Sequence, residues 1–159
     1  LKRILRYVSY VLILLLISFI GYLKINPPLA YGSIGTTEDK HTVIVAVGNK
    51  NLVGSIQITN VSINDNQPPS NIKLQISDSE KGFMLTDTYA LYEEKGLQDY
   101  ETISLGPDTS PLDSKKVAAA ASQSPMKIYG LSITEDTSIE RIEVTYRYLG
   151  LAFVKTIHV

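Results

Sequence analysis

The chain has 159 residues, enough for one ordinary domain rather than a multidomain enzyme, and its 15 basic against 16 acidic side chains leave a formal charge of -1. That balance offers no broad basic surface for nucleic acid, so no nucleic-acid partner is expected. With no cysteine and two histidines, thiolate zinc sites, iron-sulfur clusters, disulfide scaffolds, cysteine nucleophiles and lipid attachment through cysteine are excluded.

The 44% hydrophobic content is concentrated at the N-terminus. From Tyr7 to Leu23 no residue carries a charge, and leucine and isoleucine dominate without a polar stripe at the helical period. A helix of that length spans a bilayer core of about 30 Å at about 1.5 Å per residue. Lys2, Arg3 and Arg6 precede the run and only Lys24 follows closely, which places the N-terminus in the cytoplasm and the rest outside. Tyr7 and Tyr22 mark the headgroup levels. Residues 1–24 are therefore expected to form a single-pass anchor in the cell membrane. The alternative is a signal peptide cleaved before Ser33, after the small residues Ala30 and Gly32, with secretion of the remainder. A pilin-like helix continuing far beyond the membrane is disfavoured by Pro27 and Pro28.

Residues 25–40, with proline, glycine and charge but no periodicity, read as a tether. Residues 41–159 read as an extracytoplasmic domain in which the period becomes two. Thr42 to Val47 is β-branched and apolar, and Gly48 to Asn51 supplies a turn before a second run from Leu52, which predicts a hairpin. Ile56 and Ile58 share one face while Val61 and Ile63 share the other, so a bulge near Thr59 and Asn60 is needed to bury all four. Ile72, Leu74 and Ile76 alternate with polar residues as a strand with one wet face, and Asp78 to Gly82 turns the chain. Phe83 to Tyr92 reads as strand followed by turn, with one or two helical turns over Thr88 to Lys95 as the alternative. Tyr100 to Leu105 suggests a short strand, and Lys115 to Ser122, with Ala118 to Ala121, a short helix or a tightly packed edge. Tyr129, Leu131 and Ile133, then Ile142, Val144, Tyr146 and Tyr148, each line one face of a strand. Gly150 permits a tight turn before a last strand from Leu151 to Val159.

Seven or eight short strands without a βαβ rhythm indicate a mainly β fold: an antiparallel β-sandwich, immunoglobulin-like or fibronectin-III-like in architecture, behind one N-terminal transmembrane helix. A small barrel is the second choice.

The residues that carry chemistry elsewhere find no constellation here. No G-x-S-x-G elbow occurs, and Gly32 and Gly35 lack the strand and helix that frame a phosphate loop. His41 and His158 sit beside apolar residues at opposite ends of the domain sequence. Asp78 and Glu80 before Gly82 start like a calcium loop, but Phe83 and Tyr89 stand at its sixth and twelfth places, leaving a polar turn. Asp108 with Asp113, or Glu135, Asp136 and Glu140, are the carboxylates open to acid-base pairing. Asn60-Val61-Ser62 fits a glycosylation sequon within a strand. Tyr146 and Tyr148, with Tyr89, Tyr92, Tyr100 and Tyr129, form either a binding surface or, as preferred here, core with hydroxyls at its rim.

No catalytic, cofactor-binding or metal residue is assigned, and no cofactor is expected. The expected role is a non-enzymatic, membrane-anchored module that binds an envelope protein or wall polymer; the alternative is a small exported hydrolase or carbohydrate-active enzyme using loop carboxylates. Without Lys2, Arg3 and Arg6 the exported part holds 12 basic against 16 acidic residues, net -4. Membrane contact is thereby left to residues 1–24.

Overall fold

The computed structural model describes residues 2–85, 96–111 and 126–159. Helix α1, Lys2–Ile25, is followed by nine strands: β1 Leu29–Thr36, β2 Thr42–Asn49, β3 Ile56–Ile63, β4 Asn71–Asp78, β5 Leu97–Gln98, β6 Ser104–Leu105, β7 Lys127–Thr134, β8 Arg141–Tyr148 and β9 Leu151–His158. They form two antiparallel sheets, one in the order β1-β2-β7-β4-β5 and the other β6-β3-β8-β9. The chain is thus mainly β behind one apolar helix, and the strands divide between two sheets instead of closing into the small barrel.

Alternation explains the shared core. Val43, Val45 and Val47 of β2, Leu74 of β4, and Tyr129, Leu131 and Ile133 of β7 supply one wall. Ile56, Ile58, Val61 and Ile63 of β3, Ile142, Val144, Tyr146 and Tyr148 of β8, and Phe153 and Ile157 of β9 supply the other. The expected bulge is present: Ile58 pairs with Tyr146 but Asn60 pairs with Thr145, a shift that keeps both halves of β3 facing inward. Ile58 and Val61 are 1% and 2% exposed in consequence.

Three expectations are corrected. The segment expected as a tether holds β1, which pairs with β2 from Leu29↔Asn49 to Thr36↔Val43, with an irregularity between Tyr31 and Ile34. Its glycines interrupt the alternation, yet Leu29 and Ala30 are buried. The hairpin expected between Thr42–Val47 and Leu52 onward is a crossover: β2 lies between β1 and β7, whereas β3 belongs to the other sheet. Gly48 to Asn51 begins a corner, not a hairpin loop, and Leu52 and Val53 lie exposed ahead of β3. The strand expected over Tyr100 to Leu105 is confined to β6, because Thr102 closes a turn on Asp99.

Phe83 to Leu85 carry no strand, and the remainder of the Phe83–Tyr92 and Thr88–Lys95 expectations lies outside the described residues, as does the Lys115–Ser122 helix. The wet face expected for β4 is partly covered. The Gln75 side chain donates from Nε2 to the Met84 carbonyl (2.7 Å) and accepts the Met84 amide (3.1 Å), laying this segment over the outer face of the sheet. Further along, Thr109 passes so close to β2 that a Cβ on Gly48 would stand 1.9 Å from its carbonyl oxygen, so only glycine fits there.

The end of α1 is built into the domain. Leu23 is 1% exposed and belongs to the core, the Lys24 ammonium donates to the Ala152 carbonyl (3.0 Å), and it lies 4.6 Å from the centre of the Phe153 ring. Before Leu23 the helix is bare: Leu14 is 65% exposed and Phe19 46%. Arg3–Ile25 is long and apolar enough to cross a membrane, which fits either an anchor or a signal sequence.

Candidate functional site

A concavity among the described residues follows from the way the two sheets end. β1 is the edge of one sheet and β9 the edge of the other. They meet beside the end of α1, around an open cleft of about 430 Å³ lined by Pro27, Leu29, Ala30, Tyr31, Gly32, Lys50 and Lys155. Each lining residue has a local reason to be there. Pro27 and Pro28 end α1 and turn the chain into β1. The Lys50 amide donates to the Pro28 carbonyl (3.0 Å), tying the β2–β3 corner to the start of β1. At the cleft floor the Leu29 amide donates to the Tyr146 hydroxyl (3.4 Å). The Lys155 ammonium stands 5.3 Å from the centre of the Tyr31 ring, bridging the two edges.

Chemically the cleft presents two ammonium groups, an aromatic ring and two strand edges. Among the described residues its lining includes no carboxylate, imidazole or serine hydroxyl. It is suited to hold an anionic extended chain by charge and by main-chain hydrogen bonds. Tyr31 and Gly32 fall in the stretch that reads as tether, and Lys155 lies within the last expected strand with nothing to single it out, so sequence reasoning gave no signal for this site. The pairing of β1 with β2 and the packing of the two sheets place them together.

The residues singled out from the sequence lie elsewhere. Their carboxylates are occupied in holding loops. Glu135 accepts hydrogen bonds from the Ser70 hydroxyl (2.7 Å), the Ser70 amide (2.8 Å) and the Asp136 amide (3.0 Å), and these hold its pKa below the usual carboxylate range. Glu140 accepts from the Lys40 ammonium (2.8 Å) and the Ser138 hydroxyl (2.8 Å), with the same direction of shift. Asp78 Oδ1 accepts the Lys81 and Glu80 amides, and its other oxygen faces the Lys81 ammonium at 3.0 Å, so the carboxylate caps its own turn and its pKa is lowered. The Asp108 amide donates to the Asn51 carbonyl (2.9 Å). Asp113 lies outside the described residues.

Folding brings the two ends of the domain sequence together: the Lys40 ammonium donates to the Val159 carbonyl (3.1 Å). His41 and His158 accordingly sit at the same end of the molecule, with His41 Nδ1 3.4 Å from Asp39 and His158 exposed. Asp39, bonded by the Thr37 hydroxyl and the His41 amide, also has a lowered pKa. Asn60 is exposed at the β3 bulge while Ser62 is buried. Tyr129, Tyr146 and Tyr148 are core residues, 6%, 0% and 3% exposed. The Tyr146 ring stacks on Phe153 at 5.4 Å, and burial raises its pKa. Tyr100 is partly buried, its pKa raised by burial and then by Glu101; Tyr89 and Tyr92 lie outside the described residues. No protein-family model matches the chain, and no curated protein is significantly similar to it.

Proposed function

We propose that the protein is a single-pass, membrane-anchored binding module, its N-terminus cytoplasmic and its immunoglobulin-like or fibronectin-III-like sandwich outside. It captures an acidic, extended segment of an envelope protein in the cleft between β1 and β9. The observation that carries this is the cleft itself, where Lys50, Lys155 and Tyr31 flank two sheet edges that can each accept another strand.

Two features support retention of the anchor. Cleavage before Ser33 would divide β1 and remove Leu29 and Ala30, 2% and 5% exposed, from the domain. It would also strip Leu23 from the core and leave the Tyr146 hydroxyl without the Leu29 amide. The mass of the mature protein in cell membranes tests this directly: an intact N-terminal helix is expected, and a chain starting at Ser33 would refute it.

The carboxylates weigh against the hydrolase alternative. A glycosidase acid needs a raised pKa beside a second carboxylate, whereas Glu135, partly exposed, and Glu140, exposed, each accept several hydrogen bonds and are shifted downward. Capture is tested by placing a photo-crosslinking side chain at Tyr31 in intact membranes. A defined adduct that disappears when Lys155→Glu is added supports the binding role. A free monomer with no adduct overturns it, and a wall-polymer adduct would change the class of ligand.

A further inference from the structure

The corner nearest the end of α1 is apolar in a way the domain's own packing does not require. Leu52 and Val53 are 74% and 71% exposed, and Leu149 is 52% exposed. They are held in place firmly. The Tyr148 hydroxyl donates to the Val53 carbonyl (2.5 Å), and Asn49, itself fully buried, donates from Nδ2 to the Gly54 carbonyl (3.0 Å) while accepting the Asn51 amide (3.0 Å). A Cβ on Gly54 would touch both Tyr148 and Leu149, which shows how closely the β8–β9 turn lies against the β2–β3 corner. The main chain of the corner is thus satisfied inward, and its apolar side chains point out.

Leu149 is the most telling residue. It and Gly150 form the two-residue turn between β8 and β9, with φ of +48° and +79°. That left-handed turn favours asparagine or glycine at its first position, where leucine is both strained and exposed to water. A residue with two local disadvantages points to a surrounding other than water.

Geometry identifies that surrounding. From Arg6 to Lys24 the helix rises about 27 Å at about 1.5 Å per residue, close to the hydrocarbon thickness of about 30 Å. Lys24 therefore sits at the interface, and its partner Ala152 is three residues from Leu149 around the β8–β9 turn, no more than about 10 Å away. With Leu23 fixed in the core there is no slack between helix and domain. We propose that Leu52, Val53 and Leu149 insert into the headgroup region of the leaflet from which α1 emerges, seating the domain directly on the lipid surface. The seat rests on α1 being a retained span and extends membrane contact beyond residues 1–24.

The absence of cysteine from the sequence makes the test direct. Single-cysteine variants Leu52→Cys and Leu149→Cys of the full chain carry a nitroxide label in phosphatidylcholine nanodiscs at one chain per disc, with Leu14→Cys and Asp136→Cys as references. Collisions with oxygen report lipid, and collisions with a nickel chelate report water. The seat predicts nickel accessibility at Leu52 and Leu149 several-fold below that at Asp136, and its return to the Asp136 level at Leu149 when Leu52→Asp and Val53→Asp are added. Labels at Leu52 and Leu149 matching Asp136, with Leu14 in lipid, overturn the seat and leave the anchor standing. A water-exposed Leu14 overturns the anchor and the seat with it.

Discussion

The two ends of the two-sheet domain differ in the side chains they carry. At the end away from α1, charged side chains join the loops, Lys40 to Glu140 and the Val159 carbonyl and Glu135 to Ser70, beside neutral bonds that link Asn64 to Ser138, Glu140 and Arg141. Arg141 adds a bond to the Asn64 carbonyl and approaches Asp65 and Glu143 at 4.0 and 3.9 Å. At the end beside α1, the pins are the neutral Asn49 amide and Tyr148 hydroxyl, and the exposed side chains are apolar. Exposed ion pairs hold geometry in water at little net gain. The charged end is therefore the one suited to water, and the exposed apolar corner at the other end is the surface that the proposed lipid seat would cover.

The largest effect is expected where helix and domain share a side chain. Leu23→Ala should destabilise the domain by about 2–4 kcal/mol through lost burial and a residual cavity. Denaturation of the full chain in detergent measures it, with Leu14→Ala, in the bare part of α1, leaving the domain's transition in place. An unchanged transition for Leu23→Ala would mean that the helix end is not part of the core. Next comes Asn49→Ala, which removes a buried amide and leaves the partly buried Gly54 carbonyl and Asn51 amide without their side-chain partner at a cost of about 1–3 kcal/mol. Amide exchange should rise at residues 51–54 and remain unchanged at residues 64–70.

These two residues also mark the limit of what the sequence discloses. β4, β7 and β8 are legible because apolar and polar residues alternate along each, β9 because Gly150 permits the turn before it, and the β3 bulge because Ile56, Ile58, Val61 and Ile63 cannot otherwise share a face. β1 is illegible because it runs under Pro111: a Cβ on Gly32 would lie 2.9 Å from the Pro111 side chain, so a close approach demands the glycine that sequence reading assigns to a flexible tether. β5 and β6 have two residues each, too few for any period. The cleft inherits these difficulties, since Tyr31, Lys50 and Lys155 come from three separate stretches brought together by the β1–β2 pairing, the β2–β3 corner and the packing of β9 beside β1.

Acid should separate the two ends. Glu135, Glu140 and Asp39 have folded pKa values below their ordinary ones, from bonds to Ser70, Lys40 and Thr37 respectively, so the stability they contribute is present above the ordinary carboxylate range and is lost as pH falls through the lowered values. Amide protection over residues 64–70 and 135–140 is expected to fall with acid, and Glu135→Gln to blunt the response at Ser70. The corner at residues 49–54, held by an amide and a phenol, should keep its protection over the same range. Equal loss at both ends would show that the charged network does not act locally.

The smallest expected change in stability is the most informative about the cleft. The Lys155 side chain contributes to the fold through its position over the Tyr31 ring, a contact worth about 0.5–1 kcal/mol when exposed. Lys155→Met keeps much of the side chain's apolar length, so the melting temperature should fall by no more than about 2–4 °C for a chain of this size. If Lys155 serves an acidic partner, the same substitution should weaken the Tyr31 crosslink well beyond what that small loss explains, and Lys155→Arg should restore it. A proportionate loss of crosslink and stability would make Lys155 a strut between two sheet edges. A disproportionate one separates binding from folding, because the two sheet edges would still be in place while the charge between them had gone.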